Sequence, residues 1–293
     1  MRYCDRFTCQ KGGTRAIVAP MKNAKKFLTL ATTLALFATS LNSAFAEPMK
    51  DPLRINNIFI PAEGFDDNDN IEFVLDGELK NACLRLGAST VRHDGKMIYV
   101  GLEAIRDEES FCAQADDSLP QAIQATVPFS KEVDIGKLKA GEYTIHYETA
   151  NVVVTKTFKV GVAPSNRQDS MNYAPIENAS VTSLVNIGDT AQIRLTGMLT
   201  SSCMHLRDEV LVSQADDVVV VQPLVKMDLS SMCLMYLRPF TKDVSVPNLS
   251  KGRYLVHVRS MNGQAVNRVF SVCQTNSTGD CSSSSLGREE TTR

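Results

Sequence analysis

Short runs rich in Val, Ile, Tyr and Phe recur along the chain between clusters of Gly, Pro, Asn and Asp, and no long stretch repeats apolar residues at helical spacing. Alternation bounded by turn residues predicts β-strands. A first set falls at residues 55–60, 71–75, 83–90, 97–102, 123–129, 143–148 and 152–160. A second falls at residues 180–184, 191–196, 203–206, 218–222, 233–240, 254–259 and 265–272. About seven strands in some 110 residues is what a two-sheet sandwich uses. The expected fold is therefore all-β, two antiparallel β-sandwich domains in tandem. Because successive strand side chains point to opposite faces, Tyr143, Ile145 and Tyr147 are expected in one core and Tyr254, Val256 and Val258 in the other. His146 and His257 are then expected to face solvent.

The two sets are copies of one unit. Pro128-Phe129-Ser130-Lys131-Glu132-Val133 returns as Pro239-Phe240-Thr241-Lys242-Asp243-Val244, followed at equal offsets by Leu138/Leu249, Gly141/Gly252, Tyr143/Tyr254 and His146/His257. Upstream, Leu75-Asp76-Gly77 with Cys83 matches Leu195-Thr196-Gly197 with Cys203 at the same spacing. Similar cysteine separations in the two copies select Cys83–Cys112 and Cys203–Cys233 as disulfides, which leaves Cys273 and Cys281 to pair locally. By loop-closure entropy, each bridge over about thirty residues stabilises its domain by roughly 3 to 4 kcal/mol.

The segments Leu138-Lys139-Ala140-Gly141-Glu142-Tyr143 and Leu249-Ser250-Lys251-Gly252-Arg253-Tyr254 resemble the turn and tyrosine corner of immunoglobulin-like and fibronectin-like domains. The resemblance implies immunoglobulin-like sandwiches in which Gly141 and Tyr143, and Gly252 and Tyr254, form corners where the Tyr hydroxyl bonds back to nearby backbone. More loosely, the whole chain resembles exported bacterial proteins with such folds, a likeness that assigns no activity. There are departures. The chain has no Trp, so the buried core Trp is missing. The residue two after each corner Tyr is Ile145 or Val256 instead of Cys, so the expected bridges are not the usual bridge between the sheets.

Residues 21–46 read as an export signal. Lys22, Lys25 and Lys26 precede a short apolar run from Phe27 to Phe37, and Ala44-Phe45-Ala46 fits cleavage before Glu47. Residues 1–20 carry no apolar core, and the simplest expectation is that translation starts at Met21. The division that follows is 47–162 for the first domain, 163–175 for a linker rich in turn residues, 176–273 for the second domain and 274–293 for a polar tail. Two hinged domains are expected. Export implies an oxidising compartment, the periplasm or cell exterior, where an even cysteine count favours disulfides.

Removing residues 1–46 leaves 24 basic and 32 acidic side chains, a formal charge of −8. With no Lys/Arg cluster in that part, a nucleic-acid partner is not expected. Nor is a membrane span, since no later apolar run is long enough. The acidic turn Asp66-Asp67-Asn68-Asp69-Asn70 carries oxygen donors suited to calcium, and Asp66, Asn68 and Asn70 are its candidate ligands. The sixth position is Ile71 and the twelfth Gly77, against the EF-hand pattern, so the plainer reading is a solvated turn and no metal. Met198, Met204, His205, Met227, Met232 and Met235 would suit a soft metal, yet core packing accounts for them more simply.

No Gly-x-Ser-x-Gly elbow or Gly-rich phosphate loop occurs. No catalytic residue and no cofactor are expected. The leading expectation is a non-enzymatic binding or structural protein whose partner is a protein or other cell-envelope ligand. That ligand would meet residues 65–70, the insert between Cys112 and Phe129, or the linker. The alternatives are an inhibitor of an extracellular hydrolase, with residues 113–128 as reactive loop, and a periplasmic metal-binding protein.

Overall fold

The structure, a computed structural model, describes residues 53–106, 125–148, 153–165, 167, 169, 171–181, 184–230 and 232–274. The expected signal segment 21–46, residues 1–20, most of the insert after Cys112, Cys112 itself, Cys281 and nearly all of the polar tail lie outside the described residues.

Two β-sandwiches follow one another. In the first, β1 (Arg54–Phe59), β3 (Ile71–Leu79) and β6 (Val127–Gly136) form one sheet in the order β1-β3-β6. The facing sheet holds β2 (Phe65–Asp66), β4 (Leu84–Asp94), β5 (Met97–Arg106), β7 (Gly141–Glu148) and β8 (Val153–Gly161) in the order β2-β8-β7-β5-β4. The second sandwich repeats this. Its smaller sheet is β14 (Met235–Val246), β11 (Ala191–Ser201) and β9 (Ile176–Val181). Its larger sheet runs β10 (Leu184–Asn186), β16 (Gln264–Cys273), β15 (Gly252–Ser260), β13 (Val218–Met227) and β12 (Met204–Ala215).

Most pairs are antiparallel. In each half two are parallel: the short β2 against β8 and β5 against β7, with β10–β16 and β13–β15 as counterparts. An immunoglobulin sandwich sets the strand that follows B beside F. Here the strand after β3 lies at the sheet edge and β5 takes the inner place beside β7. Burial explains the order. Strand β5 buries alternate residues along most of its length, whereas β4 is mostly exposed past Leu84, and β13 and β12 differ in the same way. The apolar strand of each hairpin goes inside and the polar one covers the edge.

Each core lies between its own two sheets. In the first, Ile58, Ile71, Phe73 and Leu75 meet Ile98, Val100, Tyr143, Ile145, Tyr147 and Phe158. In the second, Ile193, Leu195, Val244 and Val246 meet Val219, Val221, Tyr254, Val256, Val258 and Phe270. Tyr143 stacks on Phe158 and Tyr254 on Phe270, with ring centroids 5.8 and 5.7 Å apart.

Several strands depart from their sequence reading, and edge position is the common reason. Strand β12 was expected to stop at residue 206 but continues to Ala215, because its exposed outer half needs no apolar alternation. Strands β6 and β14 run past the Phe to Gly136 and Val246 through Lys131, Glu132 and Asp134 and through Lys242 and Asp243, charged residues that interrupt the apolar signal while the pairing continues. The single strand expected at 180–184 is replaced by β9 and β10, which belong to different sheets.

Gly77 and Gly197 are fixed by close approach. They pair with Phe129 and Phe240 across β3–β6 and β11–β14. A Cβ on Gly77 would collide with the Arg54 carbonyl and the Phe129 ring, and one on Gly197 with the Pro175 carbonyl and the Phe240 ring. Backbone carbonyls cannot yield as a side-chain tip can. Gly197→Ala is therefore expected to cost about 1 to 3 kcal/mol, measured as a lower urea midpoint by far-ultraviolet circular dichroism. An unchanged midpoint would refute the close packing.

Candidate functional site

Described residues of the linker are hydrogen-bonded to the second sandwich, and the two halves share a buried face. Both oxygens of Asp169 accept from backbone, Asn262 N–H at 2.9 Å and Gly263 N–H at 2.7 Å. Ala174 N–H donates to Pro223 C=O and Val225 N–H to Asn172 C=O, each at 2.8 Å. The linker thus continues the sheet where β13 leaves β15. Beyond it, the outer face of β1 and β3 lies on the outer face of β13 and β15, and Phe59, Val74, Val218 and Leu255 form a small apolar cluster there.

Charged and polar pairs ring this cluster. Arg259 reaches from β15 to Asp69 at 3.1 Å, both side chains below 10% exposed, and its guanidinium stacks over the Phe65 ring with 4.6 Å to the centroid. Arg253 pairs with Asp76 at 2.5 Å. Burial pushes the Asp76 carboxyl up, and Arg253 offsets part of that rise. At the rim, Lys156 approaches Asp217 at 3.3 Å.

His257 was expected in solvent and is instead 1% exposed. The reason is that the first sandwich covers this face, so β15 is buried on both sides. The Phe65 ring meets the imidazole edge-on at 5.8 Å. Asn267 donates through Nδ2 to Glu72 Oε1 at 2.7 Å, so its Oδ1 accepts from His257 Nδ1 at 2.9 Å, which fixes the neutral tautomer. Burial first and the nearby Arg259 second hold the His257 pKa down to about 3. Glu72 moves the opposite way. Burial, a hydrogen bond with Glu132 and the Glu132 charge push it up to about 9. An open cleft of about 540 Å³ beside this network is lined by Asn70, Glu72, Ile176, Glu177, Gln264, Ala265 and Val266.

The acidic turn is part of the same junction. Asp69 Oδ2 accepts from Asp66 N–H at 2.9 Å while it pairs with Arg259. Asp67 Oδ1 accepts from Ala163 N–H at 3.0 Å, and Asn68 Nδ2 donates to the Ser165 and Arg167 carbonyls. Asn70 lies in the cleft lining. The solvated turn of the sequence reading is thus a clasp between the halves. Among the described residues no group of three or more His, Cys, Asp or Glu is placed to hold a metal.

The remaining sequence-selected residues keep to their own halves. Tyr143 Oη donates to Lys139 C=O at 2.8 Å and Tyr254 Oη to Ser250 C=O at 3.1 Å. Gly141 and Gly252, with φ of 155° and 158°, open β7 and β15 just before them. Cys203 and Cys233 form a disulfide with Cα atoms 5.3 Å apart. Cys83 and Cys273 are also disulfide-bonded. On the larger sheet of the first half, His146 pairs with Glu148 at 3.1 Å, and Tyr99 lies under Arg92.

One surface was missed by sequence reasoning. Met232 and Met235, expected in the core, are 86% and 84% exposed, and Leu229, Leu234 and Leu237 stand out beside them. Of the methionines considered together, Met204 is buried in the second core. A run such as Cys233–Phe240 reads as a core strand by composition; only its place at the β14 edge reveals that Met235 and Leu237 are uncovered.

Two outcomes follow for the junction. Arg259→Met leaves Asp69 buried without its partner and is expected to cost about 3 to 5 kcal/mol, whereas Lys156→Met at the rim costs at most about 1 kcal/mol; chemical denaturation compares them. The folded state keeps the Glu72 proton up to about pH 9, whereas the unfolded chain releases it above 4.5. Stability from this group is therefore fullest below pH 4.5 and falls as pH rises towards 9. Glu72→Gln should remove that loss, so melting temperatures of variant and wild type diverge from pH 5 to 9 in favour of the variant. Parallel curves would contradict the buried proton.

Comparison with known proteins fits the duplicated architecture. No curated protein and no solved structure matches the chain. A family model, the ORF11 beta-sandwich domain, matches residues 73–160 and again residues 193–272, together more than half of the chain. Each match opens within β3 or β11 and closes within β8 or β16. The chain therefore belongs to the ORF11 beta-sandwich domain family and carries that domain twice.

Proposed function

We propose that this chain is an exported, non-enzymatic binding or structural protein of the periplasm or cell exterior, built from two immunoglobulin-like domains that act as one rigid body. The tyrosine-corner hydrogen bonds support the immunoglobulin likeness, and the disulfide supports an oxidising compartment. Among the described residues no helix is long and apolar enough to cross a membrane.

The observation that carries this reading is the segment around Cys233. It offers large apolar side chains to the outside while the disulfide holds its base. Patches of this kind mark interaction sites. The residues 65–70 and the linker, expected to meet a ligand, meet the other half of the chain instead. The insert that would serve as an inhibitor's reactive loop lies mostly outside the described residues, and in the turn proposed for calcium the Asp67 and Asp69 carboxylates accept from Ala163 N–H, Asp66 N–H and Arg259. Neither alternative gains an observation of its own.

Cross-linking with mass spectrometry on the intact protein in envelope fractions tests the reading. Intermolecular links are expected to concentrate at residues 229–237 and to fade in a Leu234→Ser, Leu237→Ser double variant. Links spread evenly over the surface and indifferent to the substitutions would overturn it.

A further inference from the structure

We infer that the segment from Leu229 to Leu237 is a self-association surface through which two copies of this chain join about a two-fold axis. The inference rests on the proposed binding or structural role and names the partner of that surface. Leu229, Met232, Leu234, Met235, Tyr236 and Leu237 are between 46% and 86% exposed. Six large apolar side chains exposed within nine residues form the kind of patch that marks an interaction site, and a standard stable interface needs ~800 Å² a side, which such a segment supplies when it meets its own copy.

The surface is held in place before any partner arrives. Cys233 is bonded to Cys203, Ser202 N–H donates to Leu234 C=O at 2.9 Å, and Leu234 N–H donates to Ser202 Oγ at 2.9 Å. Asp228 N–H donates to Cys203 C=O at 2.9 Å. Little ordering entropy is then lost on association.

Composition selects a second copy as the partner. From Leu229 to Leu237 there is no Asp, Glu, Lys, Arg or His. The surface therefore has no electrostatic address for a different protein, since charge patterns are what steer and discriminate partners. An uncharged apolar face complements itself, and homodimer interfaces are the more apolar class. Methionine side chains repack readily against one another. Strand β14 lies at the edge of its sheet but carries Pro239, which lacks the donor needed to continue a sheet. The contact is accordingly one of side chains, and a two-fold arrangement closes it after two copies.

Sedimentation velocity and light scattering on the intact protein over a wide concentration range test this. Twice the monomer mass is expected at high concentration, dissociating on dilution. The Leu234→Ser, Leu237→Ser variant should raise the dimer dissociation constant by about tenfold or more. Because both side chains are exposed, its circular dichroism and melting should stay as in the wild type. Ser180→Arg, on another face, should leave the dimer intact. A wild type that remains monomeric overturns the inference, as does a dimer indifferent to the double substitution. So does a monomer that floats with phosphatidylcholine vesicles through this segment. A monomer that still cross-links to an envelope component at residues 229–237 overturns self-association while leaving the broader binding role in place.

Discussion

The buried contact between the first sandwich's smaller sheet and the second sandwich's larger sheet is the constraint on which the rest of the molecule depends. It places four apolar side chains, Phe59, Val74, Val218 and Leu255, in the centre and sets charge pairs around them. Taking Arg259 and Asp69 out of water is costly, and such pairs often do no better than apolar packing of the same shape. What the pair does supply is geometry. The guanidinium must meet Asp69, the Gly64 carbonyl and the Phe65 face at once, which only one relative placement of the sheets satisfies. The neutral chain His257, Asn267 and Glu72 adds a second such condition. Two domains joined by a linker would normally move against each other; here the linker is itself strapped to β13.

The duplication explains why this contact occurs once and does not propagate. Aligning the copies through Gly77 and Gly197 puts Arg194 where the first copy has Val74, and Ser180 where it has Phe59. Aligning through Tyr143 and Tyr254 puts Thr144 where the second copy has Leu255, Glu142 for Arg253 and Glu148 for Arg259. Of the four apolar positions in the contact, three have polar counterparts in the other copy, Met97 for Val218 being the exception, and both arginines have glutamate counterparts. Another chain added head to tail by the same contact would lose the apolar centre and both Arg–Asp pairs. Open-ended growth, the hazard of a heterologous contact, is thereby disfavoured, and any association between chains must use a different surface.

How much of this was legible before the structure follows from which pressures leave a mark on sequence. The repeat, the all-β class and both cores were readable, because a sheet buried on one face must alternate and duplicated turns keep their Gly and Tyr. Tyr143, Ile145 and Tyr147 point inward, as the alternation requires. The same alternation placed His257 outward correctly with respect to its own sheet. It could not say that a second sandwich occupies that side, since a face buried by polar contacts keeps a polar sequence. The acidic turn with its calcium candidates Asp66, Asn68 and Asn70 shows the same ambiguity: carboxylates and amides spaced for a cation are also spaced for backbone groups and an arginine, as Asp67, Asn68 and Asp69 show. Edge strands β12 and β14 were cut short because exposure removes the apolar signal while pairing persists.

The segment after Cys233 shows the converse failure. Its composition is that of a core strand, and in the first half the corresponding stretch after Cys112 is longer and contains Asp116 and Asp117. With only Cys233 to Pro239 available, the second half must enter β14 almost at once, so its apolar residues fall where the sheet has an edge and no cover. Met235 and Leu237 share the outer side of that strand, and the disulfide at its base denies them the slack to fold back onto the core. A chain of acidic net charge that polarised both of its free docking faces has nevertheless left this one segment uncharged and exposed. The shorter connection and the bridge together turn a sequence fit for burial into a surface, and burial must then come from outside the single chain.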